Sequence, residues 1–145
     1  VITVNIKVQI KRISDVLTSN TLKISETDLN IKNIYPKTTV SDFKKSINSE
    51  MEYTILNKSG TELSDSSYIG TGCQVKMQND KVYTVIVWGD LTGNGKVSLT
   101  ELARTSKIFA NQATPSELEK SAIDINMNGK LDLVELAAIA RLQLQ

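Results

Sequence analysis

Asp90-Leu91-Thr92-Gly93-Asn94-Gly95-Lys96-Val97-Ser98-Leu99-Thr100-Glu101 returns 34 residues later as Asp124-Ile125-Asn126-Met127-Asn128-Gly129-Lys130-Leu131-Asp132-Leu133-Val134-Glu135. The register persists beyond these stretches, through Leu102/Leu136, Ala103/Ala137 and Lys107/Arg141. A repeat that keeps its offset over this distance means two copies of one structural unit.

The spacing within each copy is that of the EF-hand type of twelve-residue calcium loop. Calcium is a hard ion that takes six to eight oxygens, so a loop must wrap round it and return. Side-chain oxygens at loop positions one, three and five come from Asp90, Thr92 and Asn94, then from Asp124, Asn126 and Asn128. Gly95 and Gly129 stand at position six, where the chain turns sharply, and the backbone carbonyls of Lys96 and Lys130 fit position seven. Ser98 and Asp132 reach position nine, directly or through water, and Glu101 and Glu135 close the loops as bidentate ligands from the first turn of a following helix. Val97 and Leu131, at position eight, point inward and pair the loops. Asx-rich turns without a metal are the competing reading of one such loop; two full matches in register argue for two calcium ions. The first loop offers two carboxylates and the second three (Asp124, Asp132, Glu135), and more ligand charge usually means tighter binding.

Upstream of Gly89 the pattern changes. Residues 2–10 alternate apolar and polar, as a strand with one buried face does. Residues 22–24, 29–34, 51–56, 73–77 and 82–88 read as further strands, the last two flanking the polar turn Gln78-Asn79-Asp80-Lys81. One helix interrupts them, with Thr39 as cap, Asp42 in its first turn, and Val40, Phe43 and Ile47 on one face that suits a core. The expected organisation is α+β overall: a mostly-β module with one short helix at 1–88, then an all-α module at 89–145. Whether residues 1–17 open the first module or end a preceding domain stays open, because residues 14–20 are polar enough for a linker. Val1 is expected to be a cut within a larger protein.

Composition narrows the function classes. Hydrophobic residues at 40% and charged residues at 23% give the balance of a globular protein. A net charge of +1, with no Lys/Arg concentration, argues against nucleic-acid binding. No apolar run is long enough for membrane insertion. The chain has no histidine, so the usual zinc ligands and Ser-His or Cys-His bases are missing. Its single cysteine, Cys73, cannot form an internal disulfide and reads as a small buried apolar residue. The carboxylates of 1–88 (Asp28, Asp42, Glu50, Glu52, Asp65) are scattered with no paired motif, and the expectation is not an enzyme.

The first loop is entered from the strand ending at Trp88, so each loop has an exiting helix without the paired entering helix of a calmodulin-like hand. A short helical segment at 114–121, capped by Thr114 with Pro115 first and Glu117 closing a capping box, precedes the second loop. Two loop-plus-helix units, a short helix between them and the start Gly89-Asp90-Leu91-Thr92-Gly93-Asn94-Gly95-Lys96-Val97 resemble the dockerin family, type I above all. The preceding strands look like a small module often found directly before dockerins in exported bacterial proteins. The resemblance implies an all-α dockerin fold with two F-hand calcium loops. It also implies calcium-dependent docking onto a cohesin domain of a scaffold or cell-surface protein, as in a cellulosome, an extracellular or cell-surface location, and a monomer before docking. It places partner contacts at Leu99, Thr100, Ala103 and Lys107, and at Leu133, Val134, Ala137 and Arg141. Many type I dockerins carry Ser-Thr where this chain has Leu99-Thr100 and Leu133-Val134, which implies a more apolar interface. The competing readings are core packing for Leu99, Leu133 and Val134, and a solvated helix face for Lys107 and Arg141. The competing function is a structural end module that calcium rigidifies and no cohesin binds.

Overall fold

The computed structural model describes residues 12–145, and the alternating stretch 2–10 lies outside the described residues. The elements run β1 (Lys23–Ser25), β2 (Asn30–Ile34), α1 (Val40–Ser46), β3 (Tyr53–Leu56), β4 (Gln74–Met77), β5 (Val82–Val87), α2 (Leu99–Phe109), α3 (Glu117–Ile123) and α4 (Leu133–Gln143). The strands form one mixed sheet in the order β1-β2-β5-β4-β3. β2 and β5 are parallel, and the other neighbours are antiparallel.

β5 is central because its sequence lets it be. Tyr83, Val85 and Val87 are buried in the main core with Ile31, Ile34, Ile55 and Val75, while Ile86 is buried as well. A strand apolar on both sides needs cover on both, and α3 packs against it. In β2 the alternation slips. Asn33 takes a left-handed φ of 69° and the pairing with β5 shifts between Ile31 and Ile34, a bulge that turns both isoleucines inward. α1 begins as its sequence predicts, with the Thr39 hydroxyl accepting from Asp42 N–H at 3.2 Å. Val40, Phe43 and Ile47 are all buried, as is Cys73, whose thiol is pushed up by burial. Leu17 joins the same core and Thr18 bridges Asn48, so residues 17–18 are packed on the sheet.

The expected all-α second half is corrected by the structure. Residues 12–145 form an α+β arrangement of one five-stranded mixed sheet and four helices. The segment after Gly89 contributes helices of 11, 7 and 11 residues joined by long loops rather than a self-contained helical unit. The physical reason lies in the main-chain hydrogen bonds. Gly89 N–H donates to Ala122 O at 2.8 Å, which ties the exit of β5 to α3. Lys37 N–H donates to Gly95 O at 2.7 Å and Thr71 N–H to the Asp90 carboxylate at 2.9 Å, so the first loop is closed by groups of the β-rich part. A smaller core of Val97, Ile108, Ile123 and Ile139 lies behind the loops, with Leu102 and Leu131 partly buried against it.

The short helix also starts later than its sequence suggests. Ser116, not Thr114, is the cap, and Glu119, not Glu117, completes the box: Ser116 Oγ accepts from Glu119 N–H at 3.1 Å and Glu119 Oε2 from Ser116 N–H at 2.8 Å. Arg104 from α2 braces this start. It grips Glu119 through Nε at 2.8 Å and a second guanidinium nitrogen at 3.1 Å, and donates to Thr114 O, leaving Thr114 outside the helix.

Candidate metal centre and docking face

The two loops share a common set of hydrogen bonds. Asp90 accepts from Asn94 N–H at 3.2 Å and Gly95 N–H at 2.8 Å; Asp124 accepts from Asn128 N–H at 3.1 Å and Gly129 N–H at 2.8 Å. The side-chain carbonyls of Asn94 and Asn128 take Lys96 N–H and Lys130 N–H at 2.9 and 2.8 Å. Ser98 and Asp132 cap α2 and α4, and Glu101 and Glu135 complete the capping boxes by accepting from their N–H groups at 2.9 and 3.0 Å. Gly95 and Gly129 share a φ of 77°, the left-handed conformation that the turn at position six demands.

In the first loop the oxygens of four expected ligands meet. Thr92 donates to Glu101 Oε1 at 2.6 Å, Ser98 donates to Glu101 Oε2 at 2.6 Å, and Thr92 also reaches Asp90 at 3.4 Å. In the second, Asp124 and Asn126 share the Asn128 N–H, both at 3.1 Å, and Asp132 abuts Glu135. Lys96 sits exposed with its ammonium 5.3 Å from the centre of the Tyr68 ring, turned from the loop interior. Lys130 is exposed too.

Burial sets the electrostatics. Asp90, Glu101 and Glu135 are at most 1% exposed. Among the described residues, no ion pair involves them or their loop partners Asp124 and Asp132. Burial pushes the Asp90 carboxyl up, against the N–H donors that favour its charge, and burial together with Asp132 pushes up Glu135. For Glu101 burial acts the same way, but the hydroxyls of Ser98 and Thr92 outweigh it and hold the carboxyl below its usual value. Among the described residues, Glu135 Oε1 is buried with no hydrogen-bond partner. A buried carboxylate without a cation costs several kcal/mol, so three in two matched loops fit an ion with two positive charges. Among the described residues no three His, Cys, Asp or Glu side chains form a metal-ligating group; calcium differs from zinc in drawing much of its shell from neutral side-chain and main-chain oxygens.

No family model, curated protein or solved structure matches the chain.

The expected partner-binding residues divide cleanly from the core. Leu99, Leu133 and Val134 are 67%, 72% and 64% exposed, which excludes core packing for them within the described chain. Thr100, Ala103, Lys107, Ala137 and Arg141 are exposed as well. Leu99, Thr100, Ala103, Arg104 and Lys107 line one open hollow of about 490 Å³ on α2. The core positions are the neighbouring turns, with Ile108 and Ile139 buried and Leu102 and Leu136 partly so. The loops also touch residues that no motif marked. Lys58 donates to Thr92 O at 2.6 Å, and Gly70 and Thr71 lie against Gly93 and Asp90. In the sequence Gly70-Thr71-Gly72 reads as a turn between strands, with nothing to show what it packs on.

Proposed function

We propose that this chain is a calcium-dependent docking module of an extracellular or cell-surface protein. Two calcium ions bind at residues 90–101 and 124–135, and a cohesin-type partner is held on the exposed faces of α2 and α4. The observation that carries the reading is the set of buried carboxylates of Asp90, Glu101 and Glu135, none in an ion pair among the described residues, within two loops that share a common set of hydrogen bonds. The mechanism follows from spacing. Leu99-Thr100 and Leu133-Val134 lie between loop positions nine and twelve, so an ion held by Ser98 and Glu101, or by Asp132 and Glu135, fixes the helix start that presents them. The ions supply charge and rigidity, and the exposed leucines supply apolar contact area. A second reading, in which calcium only stiffens the chain and no cohesin binds, draws on the packing of the first loop against the β-rich part.

A pull-down on a panel of cohesins, with calcium and with chelator, tests both. The docking reading expects retention only with calcium. It also expects residual binding by Leu99→Asp or Leu133→Asp alone, and loss on combining them while calcium binding survives. No retention by any cohesin, beside calcium-dependent melting, refutes docking and leaves the stiffening role.

A further inference from the structure

Only one of the two matched loops is walled in. An ideal Cβ on Gly129 meets nothing within 4 Å, whereas one on Gly95 falls 2.5 Å from Ile69 O and 2.7 Å from Tyr68 Cβ. A Cβ on Gly93 falls 2.5 Å from Thr71 O, and one on Gly70 collides with Gly93 O. Asp90 is fully buried and its carboxylate takes a fourth N–H, that of Thr71, while its counterpart Asp124 is partly exposed and, among the described residues, its carboxylate accepts only from N–H groups of its own loop. Thr71 is itself held by the central strand: its Oγ1 accepts from Val87 N–H at 2.9 Å and donates to Val87 O at 3.2 Å. Lys37 N–H on Gly95 O and Lys58 Nζ on Thr92 O add two more ties.

We propose that residues 68–72, with Lys37 and Lys58, are a clamp that holds the first loop in its ion-receiving shape, making the first site the tighter and slower-releasing calcium site although it has fewer carboxylates. This rests on the calcium reading above. Ion binding must order a free loop, and fixing one backbone residue costs roughly 1–2 kcal/mol, close to a tenfold change in affinity. The clamp touches Asp90, Thr92, Gly93 and Gly95 from outside, so that cost is met by folding of the sheet. The second loop must be ordered by the ion itself. Against this stands the extra carboxylate of Asp132, which is exposed and already spends one oxygen capping Val134 N–H at 2.9 Å. Lys58 carries the wrong sign for a cation site, but it is exposed and screened by salt. Ordering of the loop outweighs both.

Calorimetric titration of the full chain with CaCl2 tests the clamp. Glu135→Gln leaves the first site to be read alone, and Glu101→Gln leaves the second. The first is expected to bind about tenfold or more tightly than the second. Gly70→Ala, placing a methyl against Gly93 O, should weaken the first site by a similar factor and leave the second unchanged. Thr71→Val should act in the same direction and Thr71→Ser should restore affinity, which general destabilisation would not do. Stopped-flow release into a fluorescent chelator needs no clamp variant: the slow phase should vanish in Glu101→Gln. A tighter or slower second loop overturns the clamp, as does equal weakening of both sites by Gly70→Ala. No calcium uptake by either single-site variant overturns the calcium reading instead, a distinguishable result.

Discussion

Replacing Gly95 and Gly129 by alanine, one at a time, separates the strain of the turn from the closeness of the wall. Both glycines hold φ at 77°, so either alanine bears the cost of a left-handed conformation, about 1–2 kcal/mol. At Gly129 that is the whole cost, because the new methyl meets nothing. At Gly95 the methyl lands 2.5 Å from a backbone oxygen of residue 69, which cannot rotate away, and 2.7 Å from Tyr68 Cβ. Forcing a methyl into packed surroundings adds about 1–3 kcal/mol. The expected losses are therefore about 1–2 kcal/mol for Gly129→Ala and about 2–5 kcal/mol for Gly95→Ala. Gly60→Ala calibrates the strain outside either loop, since Gly60 has φ of 85° and open space around it. Urea titrations in millimolar calcium, read as midpoint shifts at constant slope, give the three numbers. Equal losses at Gly95 and Gly129 would refute the close packing of residues 68–69 on the first loop.

Excess chelator should melt residues 89–145 well below the calcium-loaded transition. With an affinity near 1 μM and about 1 mM calcium, each ion contributes roughly 4 kcal/mol, and an unchanged melting curve by circular dichroism would sink that estimate. Acid should weaken the tie between α2 and α3. The Arg104 guanidinium holds the Glu119 carboxyl below its usual value, against the opposing effect of burial. A depressed folded pKa means that this stabilisation is complete above the usual glutamate range and is lost as pH falls through the lowered value. Urea midpoints measured from neutral pH down to about pH 3 should therefore fall less steeply for Glu119→Gln than for the unsubstituted chain, and identical slopes would contradict the pairing.

The loops and their helices were legible in the residues because the interactions that shape them are short. Asp90 to Gly95, Asn94 to Lys96 and Ser98 to Glu101 are hydrogen bonds across two to five positions, and their counterparts 34 residues on form for the same reason. The strands from 22 to 88, the Thr39 cap and the buried Val40, Phe43 and Ile47 were equally local, written in period and capping chemistry. The exposure of Leu99, Leu133 and Val134 was not: a leucine in the first turn of an amphipathic helix serves a core or a partner equally well, and only the packing of Ile108 and Ile139 inward decides. The start of α3 is braced by Arg104 reaching Glu119 from another helix, a contact that no local pattern announces.

Tertiary structure alone decided that residues 89–145 are not a separate helical unit. The contacts that join the first loop to the β-rich part run through backbone amides or glycines: Lys37 N–H to Gly95 O, Thr71 N–H to the Asp90 carboxylate, Gly70 against Gly93. A backbone amide is the same at every residue and a glycine has no side chain to pattern, so no periodicity announces which partner it will meet. The sequence by itself determined two loops of one spacing, the second richer by one carboxylate; folding the β-rich part against the first walled in that loop and not the other.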